Sequence, residues 1–80
     1  MSEWSQRPDA LECDFEFEDF AAAMAFVNRV ADVSEEADHH PDILVHGSNK
    51  VRLTLASHSE GGLTDADHAL ARRIDEVIEG

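Results

Sequence analysis

Leu11-Glu12-Cys13-Asp14-Phe15-Glu16-Phe17, followed without a break by Glu18-Asp19-Phe20-Ala21-Ala22-Ala23-Met24, is the stretch on which the reading of this chain turns. In its first half the apolar residues Leu11, Cys13, Phe15 and Phe17 alternate with Glu12, Asp14 and Glu16. A period of two marks a strand buried on one face and acidic on the other. At Asp19 the period changes. Phe20, Ala23, Met24, Val27, Val30 and Ala31 follow the spacing of a helix face, and Asp19 supplies an N-cap carboxylate for the orphan amides of the first turn. The pattern predicts a helix to about Ala37, because the residue before Pro41 disfavours helical geometry.

Upstream, Arg7-Pro8-Asp9 reads as a turn, so a hairpin begins the fold. Downstream, Ile43-Leu44-Val45-His46 and Val51 to Leu55 are two strands joined by Gly47-Ser48-Asn49. That connection is too short for a parallel crossover, so they pair antiparallel. Gly61-Gly62 breaks the chain, and Thr64-Asp65-Ala66-Asp67 opens a last helix with Thr64 as cap and Asp67 among orphan amides. Ala66, Leu70, Ile74, Val77 and Ile78 form its apolar stripe. The expected architecture is α+β, in the order strand, strand, helix, strand, strand, helix. A four-stranded antiparallel sheet carries the helices on one face, in a single domain over residues 1–80.

Eighty residues bury only roughly 60 to 65% of their unfolded surface, so the core is thin and oligomerisation would add to it. The longest uncharged, mainly apolar run, Phe20 to Val27, is far short of the roughly 20 residues of a membrane span. With no charged-then-apolar opening, the chain reads as soluble, unexported and cytoplasmic. Its one cysteine, Cys13, fits a reducing compartment and a buried strand position. The net charge of −12, from 18 acidic and 6 basic residues, argues against nucleic-acid phosphates and anionic membranes as partners.

Residues that look like chemistry gather at Asp38-His39-His40-Pro41 and at His58. A histidine cluster is compatible with acid/base chemistry, with a metal site, or with solvated residues at a strand end. No CxxC, HxH or HExxH spacing accompanies it, which counts against zinc. No serine lies in a G-x-S-x-G elbow, and Cys13 is in the wrong strand for a nucleophile. His46, beside the turn, and His68, in the last helix, read as surface residues.

Hairpin counting relates the cluster to His58. A three-residue turn pairs residue i with 96−i and places Ile43, Val45, Val51, Leu53 and Leu55 on one face, the better apolar pattern, with His40 and His58 on the other. A two-residue turn pairs i with 97−i and sets His39 opposite His58. In either register one member of the pair meets His58 on a neighbouring strand about 5 Å away.

Glu35-x-x-x-His39-His40-Pro41, then His58, then Asp67 nine residues later, in this element order, resembles the pterin-4a-carbinolamine dehydratase family. Supporting matches are Phe15-x-Phe17-x-Asp19-Phe20, Asn49-Lys50-Val51 with Leu53-Thr54-Leu55, and Gly62-Leu63-Thr64. The resemblance extends from about Trp4 to Val77. It departs at Ser48, where the family usually has tyrosine or tryptophan, and before Trp4, where the family usually has a helix and three residues leave no room for one.

What the resemblance implies is dehydration of a 4a-hydroxytetrahydropterin to the quinonoid dihydropterin, in pterin recycling, without a metal or organic cofactor. It implies a catalytic cluster of His39, His40 and His58, in which His39 and His58 transfer protons and His40 orients the pterin. Asp38 and Ser57 would contact the ring, and Glu35 and Asp67 would support the histidines. A homodimer or homotetramer is implied as well. The same fold is known as a dimerisation cofactor of a transcription factor, so a non-catalytic interaction module is the alternative, beside a role in molybdenum-cofactor metabolism.

Overall fold

Alternation at Leu11, Cys13 and Phe15 and capping at Asp19 produce the elements that the pattern predicts. The structure is a computed structural model that describes residues 4–56 and 63–79. A short strand β1 (Ser5–Gln6) turns through an Arg7 N–H bond to the Ala10 carbonyl (2.8 Å) into β2 (Leu11–Glu16). Helix α1 (Phe20–Ala37) follows, with the Ala22 N–H donating to the Asp19 carboxylate at 2.8 Å. Next come β3 (Asp42–His46), β4 (Lys50–Leu55) and α2 (Asp65–Glu79). The four strands form one antiparallel sheet in the order β1-β2-β4-β3.

The turn between β3 and β4 contains three residues, since His46 pairs with Lys50 and Val45 with Val51. Gly47 (φ 58°) and Ser48 (φ 64°) both occupy left-handed backbone there. A glycine accepts that conformation freely, and serine does so at some cost. Asn49 ties the turn to the end of β2: its carbonyl accepts from the Phe17 N–H (2.8 Å), and its side chain donates to the Phe17 carbonyl (3.0 Å).

Leu11, Val51, Leu53 and Leu55 from the sheet meet Ala23, Phe26 and Val30 of α1 and Leu70, Ala71 and Ile74 of α2 in one core. Each fully buried aliphatic side chain contributes about 1.5 to 3 kcal/mol. Phe26 anchors an aromatic row, with ring centroids 4.8 Å from Phe15 and 5.1 Å from Phe17. Cys13 is buried in β2. On the sheet's other face Arg52 bonds Asp14 at 2.8 Å and Arg7 bonds Glu12 at 3.2 Å.

Three expectations about the core need correction. The α1 stripe is rotated: Phe20 and Ala31 are exposed, whereas Phe26 and Ser34 are buried. Phe20 through Val27 is apolar all round, so its spacing allowed several faces, and packing on β4 and α2 selects 23, 26, 30 and 34. On α2, Ala66 and Ile78 are exposed while Asp67 and Ala71 are buried, so a carboxylate occupies a position in the stripe. Ile43 points to the core side of the sheet but is 38% exposed, because β3 is an edge strand that the helices leave partly uncovered.

Candidate active site

The site begins where α1 ends. Asp38 adopts left-handed backbone (φ 52°, ψ 42°), its N–H donates to the Glu35 carbonyl (3.2 Å), and the His39 N–H donates to the Ser34 carbonyl (3.1 Å). These two bonds close a Schellman motif. The helix therefore stops at Ala37 as expected, but the cause is the left-handed residue after it rather than the pre-proline restriction, which falls on His40. Ser34 is itself buried, its hydroxyl donating to the Val30 carbonyl at 2.6 Å.

From this turn the two histidines take different partners. His39 hydrogen-bonds through Nε2 to Oδ1 of Asp67, and His40 hydrogen-bonds through Nε2 to Oε2 of Glu35. The surroundings differ as much as the partners. The Asp67 side chain is fully buried and that of His39 is 20% exposed, whereas His40 and Glu35 are 59% and 74% exposed. An interaction of given geometry is stronger out of water, so the His39 pair is fixed and the His40 pair is adjustable.

Asp67 is held by the start of α2. Its Oδ2 accepts from the Thr64 N–H at 3.0 Å and from the Thr64 hydroxyl at 3.4 Å, and its own N–H donates to the Thr64 carbonyl at 3.1 Å. This is the reach-back half of a capping box, with the positive end of the helix dipole favouring the carboxylate. An ionised carboxylate can only accept, so His39 donates from Nε2. In a neutral ring this sets the tautomer and leaves the lone pair on Nδ1.

Of the site residues expected from the sequence, Glu35, Asp38, His39, His40 and Asp67 thus lie around one helix end and the cap of the next helix. Ser57 and His58 lie outside the described residues. The β3–β4 ladder is described as far as the pair Asp42 and Thr54, and it follows the three-residue-turn register. His46 is exposed and lines a separate cleft of about 250 Å³ with Asp14, Phe15, Glu16 and Lys50. His68, expected at the surface, is half-buried on α2. Among the described residues no three His, Cys, Asp or Glu side chains gather as a metal site, and no helix is long and apolar enough to cross a membrane.

Sequence reasoning missed Ser34, whose carbonyl holds the His39 backbone. The available signal was its position four residues after Val30, on the buried side of the helix.

Comparison with known proteins places the chain in a family. The family model described as pterin 4 alpha carbinolamine dehydratase matches residues 1–77. A protein of Thermomicrobium roseum, provisionally named a pterin-4-alpha-carbinolamine dehydratase, is 50% identical over 74 residues, which are 92% of this chain and 78% of the relative. A similarly named protein of Acidobacterium capsulatum is 48% identical over 75 residues, covering 94% and 80%. A crystal structure of a transcriptional coactivator/pterin dehydratase from Brucella melitensis superposes with a TM-score of 0.83 at 36% identity, covering 92% of this chain and 80% of that one. A pterin dehydratase-like protein identified as a RuBisCO assembly factor in the alpha-carboxysome superposes with a TM-score of 0.76 at 31% identity, covering 95% and 87%. The chain belongs to the pterin 4 alpha carbinolamine dehydratase family.

Proposed function

We propose that this protein dehydrates a 4a-hydroxytetrahydropterin to the quinonoid dihydropterin and water, within pterin recycling. The observation that carries the reading is the part-buried pair of His39 and Asp67, which holds one ring nitrogen as donor and leaves the other for proton transfer. The elimination removes a proton from a ring nitrogen of the substrate, breaks the bond from carbon to hydroxyl, and protonates the departing hydroxyl. One base and one acid suffice, and imidazole side chains can serve in either role.

In this reading His39 and His58 carry the two proton transfers. His40, on the water-exposed side with Glu35, binds and orients the pterin. Asp38 and Ser57 supply polar contacts to the ring, and Asp67 and Glu35 hold the histidines. The test generates the 4a-hydroxypterin and follows its dehydration by absorbance. Wild type should accelerate the reaction, and the double variant His39→Ala with His58→Ala should lose on the order of 100-fold or more. A double variant as fast as wild type ends the assigned roles, and a wild type no faster than buffer ends the enzymatic reading.

A second reading is an interaction module on the same fold. It is favoured by the relative named as an assembly factor, at 31% identity, and by the exposed Ile43 and Leu44 on edge strand β3. A folded protein without dehydratase activity that co-purifies with one specific partner would select it. Self-association into a homodimer or homotetramer would cover the same edge, and light scattering measures it directly.

A further inference from the structure

Asp38 is an exposed residue with left-handed backbone, and it stands between the helix and both histidines. L-residues other than asparagine and aspartate seldom adopt this conformation. Here it is what directs the chain out of α1. With Asp38 left-handed, the His39 N–H returns to the Ser34 carbonyl, and the His39 side chain meets Asp67 on the other helix. On the far side Pro41 restricts His40 to extended backbone. The histidine pair is thus bracketed by two backbone restraints, one at 38 and one at 40.

We infer that Asp38 is a positioning residue whose left-handed backbone, closing the Schellman turn onto Ser34 and Glu35, aims the His39 ring at Asp67. The kinetic part of this inference rests on the dehydratase reading, and the structural part does not. The carboxylate and the backbone of Asp38 make separable contributions. A ring contact from the carboxylate acts on substrate affinity, and the turn acts on the geometry of the acid/base residue.

Three variants separate them. Asp38→Gly removes the carboxylate and adopts left-handed backbone freely, Asp38→Asn removes the charge and tolerates that backbone, and Asp38→Ala removes the carboxylate and resists it. The first measurement is the nitrogen-15 signature of the His39 ring, which reports which ring nitrogen bears the proton and whether that proton is shielded from exchange. Wild type, Asp38→Gly and Asp38→Asn should share the protected Nε2–H pattern, and Asp38→Ala should weaken or lose it. The second measurement is turnover. Asp38→Gly and Asp38→Asn should show a raised KM, and Asp38→Ala should in addition have a kcat about tenfold below that of Asp38→Gly.

Loss of the ring signature in Asp38→Gly would overturn the inference, because the left-handed backbone is still available there. An intact signature and equal kcat in Asp38→Ala would overturn it as well. Should Asp38→Ala fail to fold, the comparison of Asp38→Gly with wild type still decides. A wild type without dehydratase activity defeats the reaction, while the ring signature continues to test the turn.

Discussion

Replacing Asp67 by asparagine keeps the size of a fully buried side chain and removes its charge. The wild-type carboxylate accepts on both oxygens, from His39 on Oδ1 and from Thr64 on Oδ2. Asparagine offers one accepting oxygen and one amide NH2. If the NH2 turns toward Thr64, it meets a backbone N–H that cannot change its role, donor against donor. If it turns toward His39, the imidazole can move its proton to Nδ1 and accept through Nε2. The second arrangement is therefore favoured, and it preserves the fold by inverting the His39 tautomer. Exchanging two charge-assisted hydrogen bonds for neutral ones costs about 2 kcal/mol. In a domain of this size that lowers the melting temperature by roughly 8 to 16 °C. The rate should fall further than stability suggests, since the nitrogen that should carry the lone pair now bears the proton. A general acid/base contribution is about 100- to 10,000-fold, so a loss of at least about 100-fold in kcat is expected at a temperature where the variant is fully folded. Asp67→Ala, which leaves the Thr64 N–H and the His39 ring without this acceptor, should melt lower still. Stopped-flow dehydration and thermal melting by circular dichroism measure the two effects. An Asp67→Asn protein that turns over at the wild-type rate, or melts within about 2 °C of wild type, would refute the tautomer argument.

Leu53→Ala empties a fully buried site in the middle of β4 and should cost about 2 to 5 kcal/mol, seen as a lower urea midpoint with an unchanged slope. Trp4→Phe removes the indole donor to Asp75 (3.0 Å) while keeping an aromatic ring against Phe15, so a loss of about 1 kcal/mol is expected; a melting temperature equal to wild type would show that this bond contributes nothing. The Asp14 carboxyl is held below its ordinary value of 3.8, first by the hydrogen bond from Arg52 and against the opposing effect of burial. A lowered folded-state pKa means that the pair's stabilisation is present above the ordinary carboxylate range and disappears as the pH falls through the folded value. Asp14→Asn should accordingly differ from wild type slightly at pH 6 and less at pH 2, and a difference in urea midpoint that widens on acidification would contradict this sign.

The sheet was legible because its residues commit to one face each. In β2 every second residue is charged, and in the hairpin only the three-residue turn puts Ile43, Val45, Val51, Leu53 and Leu55 together. The helix faces were less legible for a physical reason. A run such as Phe20 to Val27 has no polar side to exclude, so its orientation is chosen by β4 and α2, which are distant in sequence. Left-handed backbone at Asp38 was also out of reach of periodicity, since that pattern concerns side chains and the turn is a property of the main chain.

Among the described residues, the grouping of Glu35, Asp38, His39, His40 and Asp67 was legible as a set of residue types but not as a mechanism of support. Ser34 and Asp67 are the buried polar residues among those described, and both hold His39, one through its carbonyl and the other through its carboxylate. Each stands where a helix stripe calls for an apolar side chain. A leucine at 67 would bury more apolar surface, and it would leave the imidazole without a partner to define its tautomer. The polar group therefore forgoes roughly 1.5 to 3 kcal/mol of apolar burial and recovers part of it through hydrogen bonds to Thr64 and His39. Such an exchange yields little net stability, and its effect is to fix the orientation of one histidine ring. In a core this thin, a carboxylate in the helix stripe singles out His39 more sharply than the paired histidines do, because His40 shares the motif while its partner Glu35 stays in water.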